Sequence, residues 1–278
     1  MKRILTIQDI SCVGKCSLTV ALPIISACGV EASVLPTAVL STHTAFSSFT
    51  FRDLTDDIED ITKEFIKQNI SFDALYTGYL GSFKQLELVG DMFKKFKTDN
   101  NFILVDPVMA DHGKLYKGFD EKFAQSMANL CKLADIIVPN LTEASFMLNE
   151  PYIEKGYNEN YIKDLLKRLT SLGCKKAVLT GVSFDENQLG VYGYDSITDE
   201  YFYYYREKLP ATFHGTGDVF ASTLCGALTI GKQLNQAVKL AVDYTVECIK
   251  QTITNPNANW YGVEFEKALP HLINQLSK

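Results

Sequence analysis

Short β-branched runs alternate with longer segments of 3.6-residue apolar period from the first residue to about Gly181, and this alternation constrains the fold more than any other feature. It is the pattern of βαβ units, and it predicts an α/β fold: a doubly wound, mainly parallel sheet with helices on both faces. Strands are expected over 3–7, 32–37, 74–76, 102–105, 135–138 and 176–179, and helices over 17–28, 56–68, 83–96, 121–132, 143–148 and 160–172. Beyond Gly181 the pattern changes. Residues 189–194 and 201–205 flank a polar turn and predict an antiparallel hairpin at one sheet edge, followed by helices over 217–229, 234–253 and from 264. The run Tyr201-Phe202-Tyr203-Tyr204-Tyr205 is read as a strand packed on both faces rather than as a stacking platform for a base. No linker or repeat interrupts the chain, so a single domain over 1–278 is expected.

Composition removes whole classes of function. With 46% apolar and 22% charged residues, disorder and collagen-like structure are excluded. Lys and Arg number 27 against 33 Asp and Glu, a net charge of −6, which argues against nucleic acid or an anionic membrane surface as a partner. The seven cysteines are odd in number and scattered, so a reducing, cytoplasmic setting is expected rather than a disulfide framework. Cys12 and Cys16 are read as buried packing, not as metal ligands. No apolar run approaches the ~18 residues of a membrane span, and no targeting segment is expected.

Ligands of open parallel sheets bind outside the carboxyl ends of the strands. Those positions are polar here: Gln8-Asp9-Ile10-Ser11, Ser41-Thr42-His43-Thr44, Thr77-Gly78-Tyr79, Asp106-Pro107, Asn140-Leu141-Thr142-Glu143 and Thr180-Gly181. Any one of them alone reads as a turn or a helix cap, but the row of six predicts a binding edge. The sharpest element is His214-Gly215-Thr216-Gly217-Asp218, which precedes a small-residue apolar stretch. Gly215 and Gly217 let the backbone bring N–H groups to a ligand, and the helix that follows adds its positive end, so the segment predicts an anion hole. Asp218 by itself would be an ordinary first-turn carboxylate; beside a bound phosphate it becomes a candidate general base for a hydroxyl nucleophile. Gly14-Lys15-Cys16-Ser17 mimics the end of a Walker A loop, yet Asp9 stands where its first glycine belongs and Cys16 where its Ser or Thr belongs. The dinucleotide G-x-G-x-x-G is missing from the first strand-helix turn.

Over essentially its whole length the chain resembles the ribokinase-like superfamily and, within it, the pyridoxal/pyridoxamine kinases. Gly215-Thr216-Gly217-Asp218 resembles the family's anion hole and catalytic Asp, Asn140-Leu141-Thr142-Glu143 its N-x-x-E magnesium element, and Asp106-Pro107-Val108-Met109-Ala110-Asp111 its D-P-V segment near the triphosphate. Ser11-Cys12-Val13-Gly14, Ser41-Thr42-His43-Thr44 and Thr77-Gly78-Tyr79 are similar to the S-x-V-G, S-N-H-T and T-G-Y elements of the vitamin B6 branch. The Gly-Gly sugar signature of other relatives is missing near the N-terminus.

The resemblance implies transfer of the γ-phosphoryl of ATP to the 5′-hydroxymethyl oxygen of pyridoxal, pyridoxamine or pyridoxine, with Mg²⁺ and, as an option, a monovalent cation such as K⁺. It makes Asp218 the base and Gly215, Thr216 and Gly217 the anion hole. Asp106 and Glu143 would serve the metal; Asp106, Asp111, Tyr116, Asn140 and Thr180 the nucleotide; Ser11, His43, Thr44 and Tyr79 the vitamin ring. A cytoplasmic homodimer is the family's common form. The net charge of −6 is compatible with this, because such a site needs carboxylates and draws positive potential from a helix end and Mg²⁺. Thr42, Ala110 and His214 depart from the family pattern; His214 stands where dual-function relatives carry a reactive cysteine, so no covalent thiohemiacetal trap is expected. The alternatives are a hydroxymethylpyrimidine kinase, whose anion hole typically ends in Cys rather than Asp, and a non-catalytic nucleotide-binding relative.

Overall fold

The computed structural model describes residues 1–277, and the chain divides into two compact units, Met1–Gly78 with the segment from Leu209 onward, and Tyr79–Lys208. In chain order the first segment supplies β1 (Arg3–Val13), α1 (Leu18–Ala27), β2 (Glu31–Thr42), β3 (Phe51–Asp53), α2 (Thr55–Lys67) and β4 (Ala74–Thr77). The second unit supplies α3 (Phe83–Phe96), β5 (Phe102–Val105), β6 (Ala110–Asp111), β7 (Lys114–Leu115), α4 (Glu121–Cys131), β8 (Ile136–Ile137), α5 (Leu141–Met147), α6 (Glu159–Ser171), β9 (Lys176–Val182), β10 (Gln188–Asp195) and β11 (Glu200–Glu207). The chain then returns to the first unit with α7 (Thr216–Thr229), α8 (Leu234–Thr254) and α9 (Phe265–Leu276).

The strands of the first unit run β4-β1-β2-β3, with β1 parallel to both β2 and β4 and only β3 antiparallel. The order reverses at β1: the crossover through α1 leads one way and the return to β4 through α2 the other. Right-handed crossovers in opposite directions put α1 and α2 on opposite faces, which is the doubly wound plan. In agreement, α1 packs on β1, β2 and α7, while α2 packs on β2. Both β1 and β2 run past their expected ends because their polar residues stay in register: Ile10 opposes Val39, Ser11 opposes Leu40 and Val13 opposes Thr42, after an irregularity between Gln8 and Ile10. The core gathers Ile4, Leu5 and Ile7 of β1, Val20, Ala21 and Ile24 of α1, and Ala221, Leu224 and Cys225 of α7, all fully buried. From Val219 to Ala227 every residue of α7 is buried, so its polar members bond inward: Thr223 Oγ1 donates to the Val219 carbonyl at 2.7 Å, and Ser222 pairs with the Tyr76 hydroxyl at 3.3 Å.

In the second unit the order is β11-β10-β9-β8-β5, parallel from β5 to β9 and antiparallel through the β10–β11 hairpin at its edge. Its parallel crossovers all lead one way, and α4, α5 and α6 accordingly pack side by side. The hairpin follows expectation, but β11 is not packed on both faces: Tyr203 is 63% exposed. The aromatics serve cross-strand pairing instead, with Tyr194 and Tyr201 rings 4.6 Å apart and the Phe202 ring lying over Gly193, where a Cβ would collide with it. Among the described residues no helix is long and apolar enough to cross a membrane.

Candidate active site

In the first unit the expected anion hole is the N-terminus of α7. Gly215 is its N-cap, with φ 80°, and a Cβ there would run into the Lys15 carbonyl oxygen, so both conformation and space require glycine. Gly215 offers no side chain to cap the helix, and the first intrahelical bond is Val219 N–H to the Gly215 carbonyl at 3.0 Å. The first-turn N–H groups are therefore left for a ligand or solvent. Gly217 differs from Gly215: a Cβ would meet no protein atom within 4 Å, so its bareness serves approach to the backbone rather than packing. Thr216 turns its hydroxyl back to the Phe213 carbonyl at 3.3 Å.

Asp218 lies in the first turn of this helix and receives one hydrogen bond, from the Ser17 backbone N–H. Burial, with the negative charge of Asp9 added, outweighs that bond and pushes its carboxyl up to about 7. A carboxylate that titrates near neutrality beside an uncapped helix end is matched to accept a hydroxyl proton.

Ser11 is buried on β1 and its hydroxyl reaches Asp9 Oδ2 at 3.4 Å. His43 is buried with both ring nitrogens committed: Ala45 N–H donates to Nδ1 at 3.1 Å, so Nε2 carries the proton and donates to the Tyr261 carbonyl at 3.0 Å. Burial pushes its pKa down, and it stays a neutral ring that can offer a ligand only its face and edge. That ring sits against Gly14, where a Cβ would come within 2.5 Å of it, and 5.2 Å from the His214 ring. Thr44 is exposed on the same loop.

The second unit carries Asp106 directly after β5, Asp111 on β6, Asn140 and Glu143 at the start of α5 and Thr180 within β9. Asn140 caps α5, its Oδ1 accepting the Glu143 N–H at 2.9 Å, and Glu143 Oε2 accepts the Asn140 N–H at 2.9 Å, a closed capping box. Both residues also hold the 106–111 segment: Glu143 Oε1 accepts the Met109 N–H at 3.2 Å, and Asn140 Nδ2 donates to the Ala110 carbonyl at 2.9 Å. Burial, with Asp111 adding its charge, pushes the Glu143 carboxyl up against these bonds. Asp106 is buried directly after β5, and Asp111 is exposed at the β6–β7 turn, a ribbon absent from the sequence expectation. Thr180 bridges to Asn140, its N–H donating to the Pro139 carbonyl at 3.0 Å. Tyr116 is 41% exposed beyond β7, and the Tyr79 ring lies 5.7 Å from that of Phe119.

Hard carboxylate oxygens are present for Mg²⁺, but no group of three ligating side chains occurs among the described residues. This suits an ion that keeps waters and phosphate oxygens as its main ligands. Cys12 is exposed, contrary to the expectation of burial, because β1 continues past Ser11 and turns that side chain outward. Asp9, named only within the polar row after the first strand, and Ser17 were not expected as site residues; the available signal was an acid between the polar Gln8 and Ser11.

Residues 21–261 match the model of the phosphomethylpyrimidine kinase family. A candidate phosphomethylpyrimidine kinase from Bacteroides thetaiotaomicron, crystallised with pyridoxal, is 38% identical and superposes with a TM-score of 0.93, covering 98% of this chain and 95% of that one. Pyridoxal kinase from Lactobacillus plantarum is 28% identical with a TM-score of 0.90, covering 99% and 97%. Pyridoxal kinase of Arabidopsis thaliana is 25% identical over 262 residues, 90% of this chain and 82% of that protein.

Proposed function

The chain belongs to the phosphomethylpyrimidine kinase family, and from that premise we propose that it phosphorylates the 5′-hydroxymethyl group of a B6 vitamer with ATP, as a single cytoplasmic kinase domain that works as a homodimer. One observation carries the reading: an uncapped, glycine-led helix terminus holds a carboxyl pushed up to about 7 in its first turn. Asp218 takes the proton of the acceptor hydroxyl as its oxygen bonds to the γ-phosphorus; the bond from that phosphorus to the β–γ bridging oxygen breaks, and ADP leaves. Charge spread over the transferring phosphoryl oxygens is met by the backbone N–H groups of Gly215, Thr216 and Gly217.

Bound Mg²⁺ supplies neutralisation of the triphosphate charge. Asp106 would hold it, and Glu143, whose oxygens accept the Met109 and Asn140 N–H groups, would serve it by keeping the 106–111 segment in place. Asp111, Tyr116, Asn140 and Thr180 serve the nucleotide; Ser11, His43, Thr44 and Tyr79 serve the ring, His43 through its face.

Asp218 favours a B6 vitamer over the pyrimidine alcohol, whose kinases typically end the anion hole in Cys. The test is ADP release from ATP-Mg with pyridoxal, pyridoxamine, pyridoxine and hydroxymethylpyrimidine as acceptors. A higher kcat/KM for the pyrimidine would overturn the substrate assignment, and no turnover of any alcohol would favour the nucleotide-binding reading.

A further inference from the structure

The proposed base has a second carboxylate as its neighbour. Asp9 is buried on β1, at the strand's irregularity between Gln8 and Ile10, and is linked to the side chains of Ser11 and Ser17; Ser17 also gives its backbone N–H to Asp218. Ser17 is thus a two-sided bridge, held with φ 53°, outside the region its residue type prefers. We propose that Asp9 is a positioning residue which, through Ser17 and by its negative charge, sets the pH range in which Asp218 accepts the acceptor's proton. The inference rests on Asp218 being the base.

The two acids differ in their hydrogen bonds. Asp9 has three stabilising donors, the Ser11 and Ser17 side chains and its own backbone N–H, whereas Asp218 has one. Burial raises the Asp9 carboxyl and these donors oppose it, while the Asp9 charge in turn raises Asp218. Other groups around the pair do not compete. The Cys16 thiol, between the two carboxylates, is pushed up to about 12 and stays neutral. Lys15 directs its ammonium to Glu266 at 2.8 Å, His214 faces His43, and the first turn of α1 carries no acid.

The experiment follows the ¹³C carboxyl resonances of aspartate-labelled, substrate-free protein against pH, with Asp218 assigned by its loss in D218N. In D9N the Asp218 midpoint should fall by about one pH unit, the scale of a nearby charge, and the acid limb of kcat/KM should move with it. S17A removes one donor from Asp9 and keeps the backbone N–H to Asp218, so it should move the midpoint the same way by less; it decides the matter if D9N does not fold. An Asp218 midpoint unmoved in folded D9N, or in S17A, overturns the role of Asp9. Full turnover by D218N would instead remove the base assignment itself, and that failure is read from a different measurement.

Discussion

Two helix N-termini in this molecule carry motifs that read alike in sequence, Gly215-Thr216-Gly217-Asp218 before α7 and Asn140-Leu141-Thr142-Glu143 before α5, yet they are built for opposite ends. The α5 terminus is closed by its own side chains, Asn140 and Glu143 each satisfying the other's backbone. The α7 terminus has no side-chain cap. A polar residue at a helix start is therefore informative only with its partner: where the side chain turns back to cap, the motif holds structure, and where glycine replaces the cap, donors remain for something else.

The sharpest way to break this contrast is D218N. It should lower kcat by roughly 10²–10⁴, the range for a positioned acid–base group, with ATP binding retained by calorimetry. An unchanged kcat would make the two termini equivalent. Next is G217A, which has open space for its methyl group and should keep the wild-type melting temperature; its kcat/KM should drop by roughly tenfold or more, since losing one oxyanion donor outright costs about 10²–10³. A loss of stability without loss of rate would show a packing role instead. On the closed terminus, N140A should cost about 1 kcal/mol of unfolding free energy in urea titrations, the usual value of an N-cap.

The smallest effect is in pH. Burial raises the folded-state pKa of Asp218 from the ordinary aspartate range to about 7, so between those values the native chain holds a proton that the unfolded chain releases. Stability from this group is complete below the lower value and is lost as pH rises to about 7. The melting temperature of D218N relative to wild type should consequently climb across that window and level off above it. A difference independent of pH would mean that Asp218 is not buried as a proton-holding group.

Much of the fold was legible because hydrophobic period survives in most long elements, while α7, buried all round from Val219 to Ala227, showed itself as a run of small apolar residues. What was lost had local causes. β3 is three exposed residues at an edge, too short for any period, whereas β8, expected over 135–138, is present as Ile136 and Ile137. The carboxyl-terminal halves of β1 and β2 were read as loops, because Gln8, Asp9 and Ser11 are polar although buried, Gln8 and Ser11 being paired with β2. In the candidate site the glycines of 215–217 were readable, since few other roles demand them. The bond from Ser17 to Asp218 was not, because it depends on a backbone angle at Ser17 that no residue type announces and on a partner two hundred positions away. His43 was readable as a polar loop residue, but not that both nitrogens are spent on backbone groups.

The packing of α7 has a consequence for selectivity. Gly226 leaves room for Cys28, whose Sγ would lie 2.6 Å from a Cβ at that position, and the helix is enclosed from Val219 to Ala227. A rod wedged this tightly cannot slide or tilt to meet a poorly fitting alcohol. Its tip works as a fixed gauge: an acceptor either brings its hydroxyl to the right height or is turned away, and tolerance for different substrates has to come from the strand ends and loops that hold the rest of the molecule.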